Sequence, residues 1–257
     1  MIIRETPDSF WMVQQPDHAH LSGLIAEAWH DPYFELSPHR EDTIRAVYSH
    51  DDSWLPADQT PFWNDVQRMP FSFIHYPSAL KIVLYTNGIN ILEQEIPYSA
   101  LLVSLHYSSF MNKQVEAESR FLRQEEARQH RLKQHLEIRT EEQQALLHYH
   151  FDLLQFCDNL SLYLCLNKPG TSKEDEHPFF QEGFKNSDHF AFTGHQKIHA
   201  FWPTPDQVRL RPFPFKSAFE MSMKTKKVSK LAIQENGLLP AYSQTDLSII
   251  TVTISPE

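Results

Sequence analysis

One long apolar run, "ALLHYHFDLLQFCDNLSLYLCL" (145–166), constrains the fold more than any other stretch. With the polar residues before it, it predicts a helix from about Glu141 to Asn167. A helix apolar around most of its circumference must be enclosed by other elements. Asp158 nevertheless sits in the middle of it, with Leu154 one turn before and Leu162 one turn after. Burying an unpaired carboxylate costs several kcal/mol. The neighbours of this helix must therefore bring a cation, hydrogen-bond donors or a metal to Asp158.

The rest of the chain offers such partners. It has 257 residues, 41% hydrophobic and 22% charged, which suits one large domain or a domain with an appendage. The formal charge is −10, a poor basis for binding nucleic acid or an anionic membrane, because both rely on clustered Lys and Arg. Fifteen histidines make a search for a metal site worthwhile. The two cysteines, Cys157 and Cys165, lie on the same predicted helix. About 12 Å of helical rise separates them, too far for a disulfide. With charges where an export signal needs apolar residues, the expectation is a reduced, cytoplasmic compartment without a membrane span.

Four zones follow from the patterning. Residues 1–15 alternate around a Pro-Asp-Ser turn and predict a β-hairpin. Residues 16–167 predict helices. The first is capped by Asp17 and runs to about Trp29, the second spans Arg40 to His50, and the third runs from Ser78 to Gln94 and is weakened by Asn87-Gly88. A fourth follows Pro97 to about Met111, and residues 113–138 form a charged helix or arm with a thin apolar stripe. Residues 168–185 read as a linking loop. Residues 186–257 return to strands: "KIHAFW", "QVRLRPF", "SAFEMSMKT" and "SIITVTIS". The expected fold class is α+β overall, mainly α. It joins a helical domain to a small antiparallel sheet of C-terminal strands, which the N-terminal hairpin can enter because isolated hairpins are marginal.

Ionisable residues recur on the apolar faces of these helices. His18 shares a face with Leu21, Ile25 and Ala28. Asp51 follows Ile44 and Val47, and His50 follows Ala46 and Val47. His106 follows Leu102 and Val103. Each alone reads as a satisfied core polar group or a helix end. Together with Asp158 they make two carboxylates and three imidazoles directed inward. That donor set suits a divalent transition metal, or else a closed polar network. Asp52 reads as solvating the helix end, with a general base as the functional alternative. Trp54 reads as packing. His75 is a weaker candidate beside His106, and Arg40, Arg45 and Lys81 are the cationic candidates by proximity in sequence. His20 and His30 read as surface residues, and His148 and His150 as packing. His177, His189, His195 and His199 read as surface or strand residues, although His195 and His199 have a zinc-like spacing. Arg209 and Arg211 read as a solvated strand face.

An early helical histidine, a His-Asp doublet closing a second helix and a late aspartate on an apolar helix resemble the HD superfamily of metal-dependent phosphohydrolases. "QPDHAHLSGLIAEAW", "AVYSHDDSW", "ALLVSLHYSSF" and "LLQFCDNLSLYLC" also resemble an uncharacterised bacterial family known as a domain of unknown function. The resemblance spans roughly residues 14–167. The resemblance implies an HD-like helical domain with metal ligands His18, His50, Asp51 and Asp158. His106 would serve a second metal or a phosphoryl oxygen. It implies one or two divalent ions per chain, of Mn, Ni, Co, Fe, Zn or Mg. The implied activity is phosphohydrolysis of a small phosphorylated metabolite or nucleotide, with Asp51, Asp52 and His106 as the catalytic candidates. The alternative is a catalytically weak or inactive HD-like regulatory module that binds metal or ligand. A homo-oligomer is compatible with either. The C-terminal strands lie outside the HD pattern, and beyond Asp52 and Asp58 no separate catalytic acid follows the doublet.

Overall fold

The structure, a computed structural model, describes residues 1–257. Strands β1 (Ile2–Glu5) and β2 (Ser9–Val13) form the opening hairpin in the register Ile2↔Val13 to Glu5↔Phe10. Its turn is closed by the Thr6 N–H donating to Ser9 O at 2.9 Å. Helix α1 (Gln15–Ala28) starts before the expected cap. Pro16 belongs to its first turn, where a missing N–H costs nothing, and Asp17 is inside the helix rather than capping it. The Asp17 carboxylate lies 3.5 Å from Lys224 Nζ on a later strand.

Next come α2 (Pro32–Glu35), α3 (Arg40–Ser49), a 3-10 turn (Asp52–Trp54), α4 (Leu55–Gln59) and a two-stranded ribbon, β3 (Trp63–Asn64) with β4 (Met69–Pro70). Helices α5 (Ser78–Glu95), α6 (Pro97–Ser108), α7 (Glu116–His135) and α8 (Glu141–Leu166) follow. Gly88 does not break α5. It lets the helix approach the 3-10 turn, where an added Cβ would come within 2.8 Å of the Ser53 side chain. Gly23 does the same between α1 and α3, since a Cβ there would meet the Tyr48 ring.

Helix α8 begins with a capping box, Thr140 Oγ1 accepting from Gln143 N–H and Gln143 Oε1 from Thr140 N–H. It is buried almost without interruption from Asp152 to Leu166. Helices α1, α3 and α6 pack around it, and α5 and α7 form an outer layer on α6. The charged segment is not a projecting arm. Phe121 and Leu132 of α7 are buried, and Glu118 and Glu125 are buried as acceptors from Ser78 and Ser104 hydroxyls.

Strands β5 (His199–Thr204), β6 (Gln207–Arg211), β7 (Phe219–Ser229) and β8 (Ser248–Pro256) complete the fold, with α9 (Lys230–Asn236) and α10 (Leu238–Gln244) between the last two strands. The sheet order is β1-β2-β7-β8-β6-β5, antiparallel except where β6 meets β8. The hairpin is thus one edge of the C-terminal sheet. Its two faces serve different clusters: Ile2 and Val13 enter the main core, while Ile3, Phe10 and Met12 pack with Leu238, Ala241 and Tyr242. Each fully buried side chain of this kind is worth about 1.5–3 kcal/mol. The architecture is α+β, mainly helical, as expected. The expectation of strands alone after residue 186 missed α9 and α10, which are too short to show a helical period. No helix is long and apolar enough to cross a membrane.

Candidate metal centre

Four helical segments deliver five side chains to one buried point. His18 comes from α1, His106 from the last turn of α6 and Asp158 from the middle of α8. His50 caps α3 with helical backbone angles, and Asp51 then leaves the helix at φ −119°, ψ 14°. That change of direction lets two adjacent side chains address the same centre. His18 Nε2 lies 2.9 Å from Asp158 Oδ1 and 3.3 Å from His50 Nε2. His50 Nε2 is 3.5 Å from Asp158 Oδ1 and 3.8 Å from Asp51 Oδ2. His106 Nε2 is 3.7 Å from Asp158 Oδ2. The donor atoms of His18, His50 and Asp51 lie within 4.8 Å of one another, as do those of His50, His106 and Asp158.

Outer partners fix which ring nitrogens face inward. His50 Nδ1 is 2.7 Å from Val47 O. A carbonyl only accepts, so Nδ1 carries hydrogen. Ser161 Oγ donates to His18 O at 3.0 Å and also contacts His18 Nδ1, so that Nδ1 is the donor to Ser161. In the neutral rings, both inward Nε2 atoms therefore present lone pairs to each other and to two carboxylates. That arrangement is repulsive unless protons or a cation lie among them. Imidazoles held by an outer hydrogen bond, with the opposite nitrogen directed at carboxylates, form a characteristic metal-ligand arrangement. His106 adds a buried Nδ1 without a partner. The nitrogen-and-oxygen donor set fits a divalent ion of the Mn-to-Zn series.

The electrostatics without an ion show the same strain. Burial works against a charged His50, but Asp51 and Asp158 outweigh it and raise its pKa to about 9. Burial likewise disfavours an ionised Asp158, yet hydrogen bonds from His18 and His50 hold it well below the usual carboxylate range. Asp51 moves upward because burial outweighs the attraction of His50 and His18. It is the carboxylate that takes a proton first. Burial lowers His106 to about 3, so its ring is neutral. Tyr107 donates its phenol to His50 O and stands 3.4 Å from Asp51 Oδ1. Tyr85 stacks on Tyr107 at 3.7 Å between centroids.

His18, Asp51, His106 and Asp158 line a cavity of about 290 Å³, whereas His50 is fully enclosed and does not reach it. Phe73, Phe110 and Phe179 supply apolar wall, Gln155 and Asn159 supply amides, and Lys81 and Lys185 supply positive charge. Burial lowers the Lys81 pKa.

His18, His50, Asp51, His106 and Asp158 therefore come together. Asp52 does not: it is exposed on the 3-10 turn and lines no part of the cavity, because the chain reverses after Asp51. Asp58 is buried elsewhere, between the Met1 ammonium and the Gln15 N–H. His75 is exposed and pairs with Ser72. Arg40 lies beside Glu41 and Arg45 near Glu95, both away from the cavity, whereas Lys81 reaches it. Trp54 packs on Tyr76 and Tyr85. His150 bonds to the Tyr98 hydroxyl and not to Asp158. Sequence reasoning missed Ser161, Tyr107 and Lys185. Ser161 carried a signal, a hydroxyl one turn after Asp158 in an apolar helix. Lys185 carried none, since it lies in a loop without periodicity.

A family model described as a protein of unknown function (DUF3891) matches residues 1–230. No curated protein and no solved structure matches the chain.

Proposed function

The chain belongs to the DUF3891 family, and on that premise we propose that it is a metal-dependent hydrolase of small phosphorylated compounds with an HD-like centre. The observation that carries this reading is the convergence of three imidazoles and two carboxylates, four of which line a cavity that Lys81 and Lys185 also line. His18, His50, Asp51 and Asp158 would hold the ion, and His106 would either join them or offer a neutral N–H to a phosphoryl oxygen. A divalent ion bound there would polarise the phosphoryl group and acidify a water. Lys81 and Lys185 attract the phosphate. Asp51 lines the cavity and is the carboxylate assigned to accept the proton. Phe73, Phe110 and Phe179 give the cavity apolar wall against which the non-phosphate part of a substrate can pack. The cavity volume and the net charge of −10 favour a small molecule over a polymer.

A second reading, a metal- or ligand-binding module without turnover, is favoured by one observation. Asp52 is exposed and Asp58 is engaged elsewhere, so no carboxylate beyond the metal-facing pair enters the cavity. A screen of phosphorylated metabolites and nucleotides with added Mn²⁺, Ni²⁺ or Co²⁺ separates the two readings. Turnover that is abolished in a folded Asp51→Ala variant supports the hydrolase. Stoichiometric metal with no turnover of any compound supports the module.

A further inference from the structure

A second group of donors converges on a different face of α8. His148 and Asp152 are four residues apart and share that face, about 120° round the helix from Asp158. The 3-10 turn Ser187–His189 brings His189 to them. His189 Nδ1 lies 2.9 Å from Asp152 Oδ2, and His148 Nε2 lies 3.6 Å from the same oxygen. The three donor atoms are within 4.8 Å of one another, and the two rings lie 29° from parallel with centroids 6.0 Å apart. Both rings are open to solvent, but Asp152 is only 3% exposed. Its other oxygen, Oδ1, is buried without any hydrogen-bond partner. No lysine or arginine pairs with this carboxylate. An incompletely satisfied buried carboxylate facing two solvent-accessible imidazoles calls for an explanation.

We infer that His148, Asp152 and His189 form a second divalent-cation site, of the zinc type, that pins the loop between α8 and β5 onto α8. Zinc takes His nitrogen and Asp oxygen at about 2.0–2.2 Å, which spaces tetrahedral donors about 3.3 Å apart. The observed separations of 2.9 and 3.6 Å bracket that value. Two imidazoles and a carboxylate leave one position for water, and His195 lines the same depression. The site shares no donor with the buried cluster, and its existence does not depend on any activity there. It also has a structural consequence. The pinned loop carries Lys185 and Phe179 into the central cavity, and Asn186 donates to Gln155 Oε1 at 3.1 Å. Clamping His189 fixes a point four residues from Lys185.

The test uses the full chain, stripped with chelator and titrated calorimetrically with Zn²⁺ alone. Wild type is compared with His148→Ala and His189→Ala, whose exposed rings can be removed without disturbing the core. The expected result is one zinc equivalent weakened at least about tenfold in both variants, with any other equivalent unchanged. Zinc should also slow proteolysis between residues 168 and 198 in wild type and not in His189→Ala. Both variants binding zinc with wild-type stoichiometry and affinity, and gaining the same protection from protease, would overturn the inference.

Discussion

The two faces of α8 hold chemically similar groups in opposite settings. Around Asp158, every donor comes from a helix or a helix end, each is buried, and Val47 and Ser161 fix the tautomers of His50 and His18. Around Asp152, one imidazole comes from the helix and one from a loop, both are exposed, and only the carboxylate is buried. The first arrangement is rigid before any ion arrives. The second depends on a loop that the ion itself would hold. The difference follows from burial: enclosed charges must be matched by their surroundings, whereas exposed ones are satisfied by water until a ligand displaces it.

Substitutions on the two faces should therefore differ sharply. Asp158→Ala removes the carboxylate that faces three buried imidazoles, and breaking such a pair costs about 3–5 kcal/mol. Urea denaturation of metal-free protein should show that loss. A cost near zero would place the aspartate in a far more solvated setting than the structure gives it. The pH dependence should be nearly as large. Without metal, His50 is raised from 6.5 to about 9. Its contribution, on the order of 3 kcal/mol, is whole below pH 6.5 and is lost as pH rises through 9. The opposite sign holds for Asp158, whose lowered pKa gives a contribution lost only as pH falls below the carboxylate range. Metal affinity should climb over pH 6.5 to 9, because His50 must shed its proton to become a ligand. Isothermal titration with Mn²⁺ across that range would check the direction.

Smaller effects sharpen the contrast. Tyr107→Phe leaves the buried His50 carbonyl without its phenol donor and should cost about 1–3 kcal/mol by the same denaturation measurement. His189→Ala in chelator should cost less than Tyr107→Phe, because the His189 ring is half exposed and water entering its place can donate to the buried Asp152 oxygen. Reversal of that order would mean that the loop, and not the core, is the stiffer part of the molecule.

The buried centre was legible in the sequence because helical periodicity betrays a polar residue on an apolar face. His18, His106 and Asp158 each interrupt such a face, and the His50-Asp51 doublet ends one. Asp52, the residue with both a solvated and a catalytic reading, lies outside the cavity, because one residue past a helix end the backbone direction is set by turn geometry, which the pattern does not encode. Lys185 and His189 were illegible as site residues for the same reason, lying in a long loop where no period relates them to α8. In the fold, the strands were readable one by one. The pairing of β2 with β7, more than two hundred residues apart, was left open because it depends on which apolar faces remain uncovered once the helices have packed. Helices α9 and α10 were hidden by their seven-residue lengths.

The most direct test is the metal content of the purified chain after incubation with Mn²⁺, Co²⁺, Ni²⁺ or Zn²⁺ and removal of free ion, measured beside His50→Ala. At least one tightly held equivalent that disappears in a folded His50→Ala variant is the predicted result. A wild-type chain that retains none of the four ions would mean that the imidazoles and carboxylates merely neutralise one another, and the functional reading would fail with it.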